Sequence, residues 1–197
     1  MTMKSSGWWL VALALSFAVF GCVKVQTGSE TPDQLVDSAA TRGRDFRVTW
    51  VNRFTGVTPI EKATMLRELV DSLSASYLRY GYNVARDWRS GNDVRGQLIP
   101  DSEIRQVIDK SNASQRPLMK AYEDVLEYSL QQIKESRFFR SDTEDLMQRH
   151  IDGFYEVHSS VFYPSGTVND YEYRMDEARK AEESLGRELA VDVEGYR

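Results

Sequence analysis

Residues 58–88 read TPIEKATMLRELVDSLSASYLRYGYNVARDW and carry the longest regular pattern in the chain. Apolar side chains recur there every three or four positions, a spacing that places them on one side of an α-helix. Those positions are Leu66, Val70, Leu73, Tyr77, Tyr80, Val84 and Trp88. The opening tetrapeptide, Thr58-Pro59-Ile60-Glu61, is typical of a capping box with proline at the first helical position. The stretch therefore predicts a helix of ~45 Å, long enough to form the central rod of a helical bundle.

Two features inside this predicted rod concern its neighbours. Gly81 lowers helix stability by ~1 kcal/mol relative to alanine, so it calls for a compensating role. Close packing against another helix and a functional kink are the two interpretations, and we favour close packing. Arg67 and Asp71 stand four residues apart and predict an ion pair on a different face of the helix.

The chain before the rod predicts one short helix and one extended segment. Thr31-Pro32-Asp33-Gln34 is a second helix start, and we expect that helix to end near Arg42-Gly43. Residues 45–57 then alternate between apolar and polar side chains, which is strand periodicity. The alternating apolar residues are Phe46, Val48 and Trp50. Because no partner strand is found elsewhere in the sequence, we predict an extended segment that lies across helices.

Further helix starts follow the rod. Pro100-Asp101-Ser102-Glu103 opens one helix, and Ser141-Asp142-Thr143-Glu144 forms a capping box for another. Residues 112–115 indicate a fresh cap or a bend, with Pro117 in the first turn of the next helix. Asn169 is the predicted cap of the last helix. The predicted fold is all-α, a single-domain helical bundle of about five or six helices with one extended segment.

The N-terminal segment has a different character. After Lys4, residues 7–23 contain no charged side chain, which is typical of the apolar core of a secretory signal. The run reaches Val19-Phe20-Gly21-Cys22, and Cys22 is the only cysteine in the chain. This tetrapeptide resembles the processing box of bacterial lipoproteins, with Phe20 where that family has a small residue.

The resemblance implies cleavage after Gly21 and a diacylglycerol on the Cys22 sulfur, with a further acyl chain such as palmitate on the new amino group. Two or more chains make attachment lasting, since each buried methylene contributes ~0.8 kcal/mol. The chain then divides into a lipoprotein signal peptide (1–21), a flexible tether (22–31) and a helical domain (32–197). Because valine rather than aspartate follows Cys22, the family's sorting rule favours the outer membrane, with the domain in the periplasm of a Gram-negative cell.

Two other interpretations of the apolar run stay open. One is an uncleaved membrane helix, although the seventeen residues would extend only ~25 Å against a hydrocarbon core of ~30 Å. The other is an ordinary cleaved signal in which Cys22 is incidental. We favour lipidation because chance poorly explains a lone cysteine at the end of such a run.

Composition limits the partners and the chemistry. The 197 residues carry a net charge of −5, and removal of residues 1–21 takes away Lys4 and leaves 176 residues with −6. An acidic chain is poorly suited to a phosphate backbone, so we expect no nucleic-acid partner. With no cysteine after Cys22, disulfides, thiolate metal sites and cysteine nucleophiles are excluded from the helical domain.

No motif in the sequence predicts an active site. His150 and His158 are the only histidines, and neither has the Glu-x-x-His spacing of bundle metal sites or belongs to an HExxH motif. We therefore expect no metal site, and we expect His158 to be a core or boundary histidine. The sequence also has no nucleophile elbow and no phosphate-binding loop. The expectation is a protein that is not an enzyme and uses no cofactor.

Tyrosines outside the apolar stripes are the candidate binding residues. Tyrosine buries a large area while keeping a polar group, which suits interfaces. Tyr82 and Tyr173 lie off the predicted stripes and are therefore the candidates for partner binding. The leading hypothesis is a non-enzymatic lipoprotein of the bacterial envelope that binds an envelope protein as an assembly or accessory factor.

Two further classes of function stay open. The first is a helical carrier or sensor of a small apolar ligand, held in a closed pocket lined by residues such as Tyr77, Phe154 and His158. The second is an immunity or exclusion lipoprotein that protects its own cell. A solid core with exposed aromatic residues would favour partner binding over the carrier.

Overall fold

The chain folds into an all-α bundle, as predicted. The computed structural model describes residues 32–90 and 101–197. This part of the chain forms five helices and contains no strand. The helices are α1 (Pro32–Phe54), α2 (Pro59–Ser90), α3 (Asp101–Glu135), α4 (Ser141–Phe162) and α5 (Val168–Glu194). None of these five is long and apolar enough to cross a bilayer. The signal segment, Cys22 and the tether over residues 22–31 lie outside the described residues.

Helix α2 is the central element of the bundle, as its sequence predicts. It packs against α3, α4 and α5. Every position of its predicted apolar stripe is buried except Val84, which is half-buried. At Gly81 a Cβ would overlap the Sδ of Met175 and lie 3.1 Å from Cγ2 of Val161. Close packing is therefore the interpretation of Gly81 that the structure confirms.

The prediction of an extended segment over residues 45–57 is wrong. Helix α1 continues through this stretch and ends at Phe54 rather than near Gly43. Trp50 and Phe54 are buried and Phe46 packs against the core, so the inward positions are four residues apart. That spacing is helical, and the apparent alternation arose from Val48, which is 61% exposed.

Helices α1 and α3 form a closely packed pair. The indole Nε1 of Trp50 donates a hydrogen bond of 2.8 Å to Oγ of Ser129. A Cβ on Gly43 would lie 3.0 Å from Cβ of Ala121 and 3.2 Å from the carbonyl oxygen of Pro117. The absence of a side chain at Gly43 therefore lets the two helix backbones approach each other.

The break predicted near residues 112–115 is not found, because α3 runs unbroken from Asp101 to Glu135 with Pro117 inside it. Proline removes one backbone donor from the helix, so contacts with other elements must hold the two halves in line. The first half is fixed by Arg105, whose guanidinium donates to the carbonyls of Pro164 at 3.1 Å and Gly166 at 2.9 Å. The second half packs on α1.

One predicted capping box is confirmed and another is wrong. The Thr58 amide donates to Oε2 of Glu61 at 2.8 Å, and the Glu61 amide donates to Oγ1 of Thr58 at 3.3 Å. The box predicted at residues 141–144 does not form, and α4 begins without a side-chain cap. The hydroxyl of Thr143 instead donates to Oδ2 of Asp192 on α5 at 2.5 Å. A contact with another helix has replaced the local one.

The predicted cap of the last helix is also wrong. Helix α5 begins at Val168, and its cap is Thr167 rather than Asn169. Thr167 and Asp170 form a complete capping box, with the Thr167 amide 2.7 Å from Oδ2 of Asp170. The sequence pattern missed it because aspartate, shorter than the usual glutamate or glutamine, occupies the third helical position.

Candidate functional site

A buried polar cluster lies where α2, α4 and α5 meet. It consists of Asp71 from α2, His150 from α4 and Glu182 from α5. Nε2 of His150 lies 3.2 Å from Oδ1 of Asp71, and its Nδ1 lies 3.9 Å from Oε1 of Glu182. The side chains of His150 and Glu182 are 1% and 4% exposed, whereas that of Asp71 is 40% exposed. The cluster thus starts in the core and reaches the surface at Asp71.

Two glycines lie beside this cluster, and at Gly186 the lack of a side chain lets α5 approach His150 and Asp71. A Cβ on Gly186 of α5 would lie 3.0 Å from both Oδ1 of Asp71 and Cε1 of His150. A Cβ on Gly153 of α4 would lie 3.5 Å from the Cα of Glu182. Each helix therefore presents a glycine where the other presents a cluster residue, and the α5 backbone forms one wall of the site.

Hydrogen bonding within the cluster is incomplete. Three buried atoms of the cluster have no hydrogen-bond partner among the described residues. They are the two ring nitrogens of His150 and Oε1 of Glu182. The 3.9 Å between Nδ1 of His150 and Oε1 of Glu182 is too long for a hydrogen bond. Oδ1 of Asp71 lies 3.2 Å from Nε2 of His150 but without the angles of a hydrogen bond. A buried polar atom without a partner costs ~1–3 kcal/mol. Native proteins retain few such atoms, and a bound ion or ligand is one common reason.

The ionisation of Glu182 is strongly perturbed. Burial disfavours its charged form and raises the pKa of the carboxyl from 4.5 to about 7. The charge of Asp71 raises this pKa further, while His150 and the Ser74 hydroxyl lower it. Near neutral pH both forms of Glu182 are populated, and perturbed groups of this kind concentrate at functional sites.

A groove between α2 and α5 opens beside the cluster. Its volume is about 600 Å³, and Asp71, Glu182 and Gly186 belong to its lining. The other polar side chains of its lining are those of Arg67, Arg79, Arg179, Arg187, Tyr82, Asn83 and Glu183. Four arginines face three carboxylates there, the third being Glu183, so the groove is formally positive in a chain whose net charge is −5.

The arginines of the groove differ in how firmly they are paired. Arg179 lies 3.0 Å from Glu183, and the predicted pair of Arg67 with Asp71 is present at 3.4 Å. Arg187 reaches Glu183 only at 3.8 Å. Arg79 is exposed, and within residues 32–90 and 101–197 no carboxylate approaches it as an ion-pair partner. Arg79 and Arg187 are therefore the cations best placed to receive an external anion.

The two predicted binding tyrosines differ in their relation to the groove. Tyr82 lines the groove, and its hydroxyl donates to Oδ1 of Asp176 at 2.5 Å. Burial and that carboxylate raise the pKa of the Tyr82 hydroxyl, which keeps it a donor. Tyr173, on α5, is 65% exposed and is not among the residues that line the groove.

The three residues assigned to a carrier pocket pack against one another instead. The ring centroids of Tyr77 and Phe154 are 5.8 Å apart, and the ring of His158 lies 5.1 Å from that of Tyr77. The ring of Phe162 also packs against His158, with 4.9 Å between the two ring centroids. Burial lowers the pKa of His158 from 6.5 to about 4, so its imidazole is neutral at neutral pH. His158 is the boundary histidine that the sequence predicts.

Sequence reasoning did not identify the cluster of Asp71, His150 and Glu182. Local motifs were the basis for expecting no metal site, and the three residues come from helices far apart in the chain. Asp71 was assigned only to its pair with Arg67, and Glu182 resembles any other acidic residue of α5. One usable signal was present, since Gly153 and Gly186 each lie one turn from a cluster residue inside a predicted helix.

Comparison of the chain with protein-family models, curated proteins and solved structures finds no match. The fold and the site describe the protein as an all-α bundle in which a buried acid–histidine cluster adjoins an arginine-lined groove.

Proposed function

We propose that this protein is a lipid-anchored, non-enzymatic helical module of the bacterial envelope that binds an acidic segment of another envelope protein. The groove between α2 and α5 is the proposed binding surface. Anchoring raises the local concentration of the module at the membrane without requiring any new contact. Its proposed location is the outer membrane, because Val23 rather than aspartate follows Cys22 and the lipoprotein sorting rule then favours that membrane.

Support for the anchor comes from the N-terminal sequence. Residues 7–23 have the length and polarity of a secretory signal, and the sole cysteine stands where lipoproteins are acylated. Acylation at Cys22 supplies an attachment that leaves the whole helical domain in water.

The observation that carries the binding proposal is the lining of the groove. Arginine forms planar, bidentate bonds with carboxylates and is enriched, like tyrosine, among residues that dominate interfaces. Arg79 and Arg187 line the groove with weak or no ion pairing of their own within the described chain, and Tyr82 lines it as well. Leu78 and Ala75 provide an apolar floor. An extended acidic segment fits this combination of charge and area.

Mass spectrometry of the N-terminus tests the anchor. Protein purified from membranes should begin at Cys22 and carry the mass of a diacylglycerol and an acyl chain, and Cys22→Ser should release the domain from the membrane fraction. A native product with a free thiol at Cys22 would refute the anchor while leaving the groove untouched.

Site-specific cross-linking in cells tests the groove. A photoreactive amino acid in place of Tyr82 should give a discrete adduct whose cross-linked peptide is rich in Asp or Glu. The same probe at Val48, which is exposed on α1 away from the groove, is the matched position. Arg79→Glu combined with Arg187→Glu should abolish the Tyr82 adduct, and Arg116→Glu on α3 should preserve it. An adduct that survives the double reversal, or that joins a basic peptide, would contradict the proposal.

A further inference from the structure

The cluster of Asp71, His150 and Glu182 offers an unusual set of polar atoms to the interior. Both nitrogens of a 1% exposed imidazole and one oxygen of a 4% exposed carboxylate lack hydrogen-bond partners in the described chain. A neutral imidazole carries one N–H donor and one lone pair, so at least two bonding positions on His150 go unused. A structure that buries three such atoms together is poorly explained by packing alone.

The donor set and its charge match a divalent transition metal. One imidazole nitrogen and two carboxylate oxygens are ligands that Zn²⁺ and its neighbours accept, whereas Mg²⁺ and Ca²⁺ prefer oxygen donors throughout. When Asp71 and Glu182 are both ionised they bring a charge of −2, which a divalent cation would neutralise. Within the described residues, Arg67 pairs with Asp71 at 3.4 Å, through the other carboxylate oxygen.

The geometry is close to what coordination requires. One ligand atom from each residue can be chosen so that all three lie within 4.8 Å of one another, and Asp71 Oδ1 is already 3.2 Å from His150 Nε2. Tetrahedral ligands at ~2.0–2.1 Å from zinc are ~3.3–3.4 Å apart. The carboxylate of Glu182, which lies 3.9 Å from Nδ1, must therefore move toward Nε2 to complete the set. Gly186 leaves the space beside Oδ1 and Cε1 that any larger residue would fill.

An entry path and an open coordination position are also present. Asp71 is 40% exposed and lines the groove together with Glu182 and Gly186. A metal held by the three side chains would therefore have its remaining position directed to the groove, where water or a carboxylate of a bound molecule can reach it. Three protein ligands with one open position are the arrangement of zinc sites that exchange ligands.

We propose that Asp71, His150 and Glu182 bind one Zn²⁺ or a similar divalent transition metal at the floor of the groove between α2 and α5. The site is independent of the lipid anchor and of the identity of the partner. His158 is no part of it, because that imidazole contacts the rings of Tyr77, Phe154 and Phe162. The chain thus contains its own control, a second histidine in the same helix.

The test is metal binding by the full chain, purified in detergent and stripped with a chelator. Calorimetric titration with Zn²⁺ should show one ion bound per chain, and Co²⁺ should give the intense visible absorption of a four-coordinate site. His150→Gln and Asp71→Asn should each weaken Zn²⁺ binding at least roughly a hundredfold, the upper end of the loss seen for outer-shell partners. His158→Gln should leave both readouts unchanged, and Mg²⁺ and Ca²⁺ should bind far more weakly than Zn²⁺.

Asp71→Asn keeps the test decisive if the buried His150 variant fails to fold, because Asp71 is half-exposed and its replacement is nearly isosteric. Circular dichroism of the metal-free variants confirms that each is helical. Absence of stoichiometric Zn²⁺ uptake by the native chain would overturn the proposal. So would equal affinity in the native chain and in a folded Asp71→Asn or His150→Gln variant.

Discussion

His158 has two different surroundings at once, since aromatic rings of the core contact it on several sides while part of its imidazole still meets water. Burial is the only cause that lowers its pKa to about 4 from 6.5. Among the described residues, no charged group contributes to this shift. Protonation of His158 therefore favours the unfolded chain.

The lowered pKa of His158 gives a prediction about how stability depends on pH. Between pH 6.5 and 4 the unfolded chain binds a proton at His158 that the folded chain does not, so stability falls as pH decreases through that window. Relative to His158→Gln, the native chain should lose about 2 kcal/mol over this range, after allowance for partial exposure. Urea denaturation followed by circular dichroism at several pH values measures the difference, in which all other titrating groups cancel. If the stability of the native chain relative to His158→Gln stayed constant or rose on acidification, the assignment would be contradicted.

Glycines give a second prediction at the residue scale. Ala in place of Gly43 would put a methyl group 3.0 Å from Cβ of Ala121 and 3.2 Å from a backbone oxygen, neither of which can rotate away. We expect Gly43→Ala to destabilise the fold by about 1–3 kcal/mol through overpacking.

Gly153→Ala is the matched control, because its new methyl group would meet neighbours only at 3.4–3.5 Å, which is ordinary contact. It should be neutral or stabilise by up to about 1 kcal/mol through helix propensity. Urea midpoints of the two variants decide the matter, and a loss of stability in Gly153→Ala as large as that in Gly43→Ala would show that the close approach has been misjudged.

At the scale of helices, the starts of α4 and α5 differ in what stabilises them. Thr167 and Asp170 satisfy the first amides of α5 by a capping box. Ser141 makes no cap, and α4 is fixed near its start by the bond from Thr143 to Asp192. The first helix start is thus secured locally and the second by tertiary contact.

The corresponding prediction compares two alanine variants. Thr167→Ala should cost about 1 kcal/mol of unfolding free energy, the usual value for loss of a cap. Ser141→Ala should cost only a few tenths of a kcal/mol, because no helix amide loses a partner. Thermal melts and urea titrations provide the measurement. If the two variants lost equal stability, Ser141 would have to cap α4 in solution.

How far the sequence predicts this fold depends on where the information lies. The stripe of α2 is long and strictly spaced, so its position and its central place follow from local pattern. The second half of α1 was misread because Val48, an exposed residue, imitated alternation with Phe46 and Trp50. Helix α3 passes through Pro117 because contacts with α1 and with the α4–α5 connection outweigh the lost hydrogen bond.

The candidate site was less predictable than the fold. Tyr82 and Tyr173 are predicted as binding residues because they lie off the stripes, and of the two only Tyr82 lines the groove. Asp71, His150 and Glu182 come together only through the packing of three helices. The spacing within any one helix contains no trace of the other two, so a single sequence supplies no constraint on their meeting.

At the scale of the whole molecule, α1 occupies the edge of the bundle. Its main contact is with α3, whereas α2, α4 and α5 contact one another in every pair. Elements with fewer neighbours open at lower free energy than the rest of a structure. The free energy of local opening should therefore be lowest at α1.

Hydrogen exchange tests this arrangement. Amide protons of α1 should exchange with solvent before those of α2, and Trp50→Phe should accelerate exchange in α1 by removing the 2.8 Å bond to Ser129. The α5 amides should be little affected by that change. Equal protection of α1 and α2 in the native chain would mean that the bundle opens only as a unit.

Trp50 and Trp88 are the only tryptophans in the chain after Cys22, and both are buried. One lies between α1 and α3, and the other contacts the ring of Tyr171 on α5 at 6.0 Å. The two indoles are therefore natural fluorophores, one for each side of the molecule. With either replaced by phenylalanine, the emission of the other reports on its own side alone, and superimposable unfolding curves would identify a single cooperative unit.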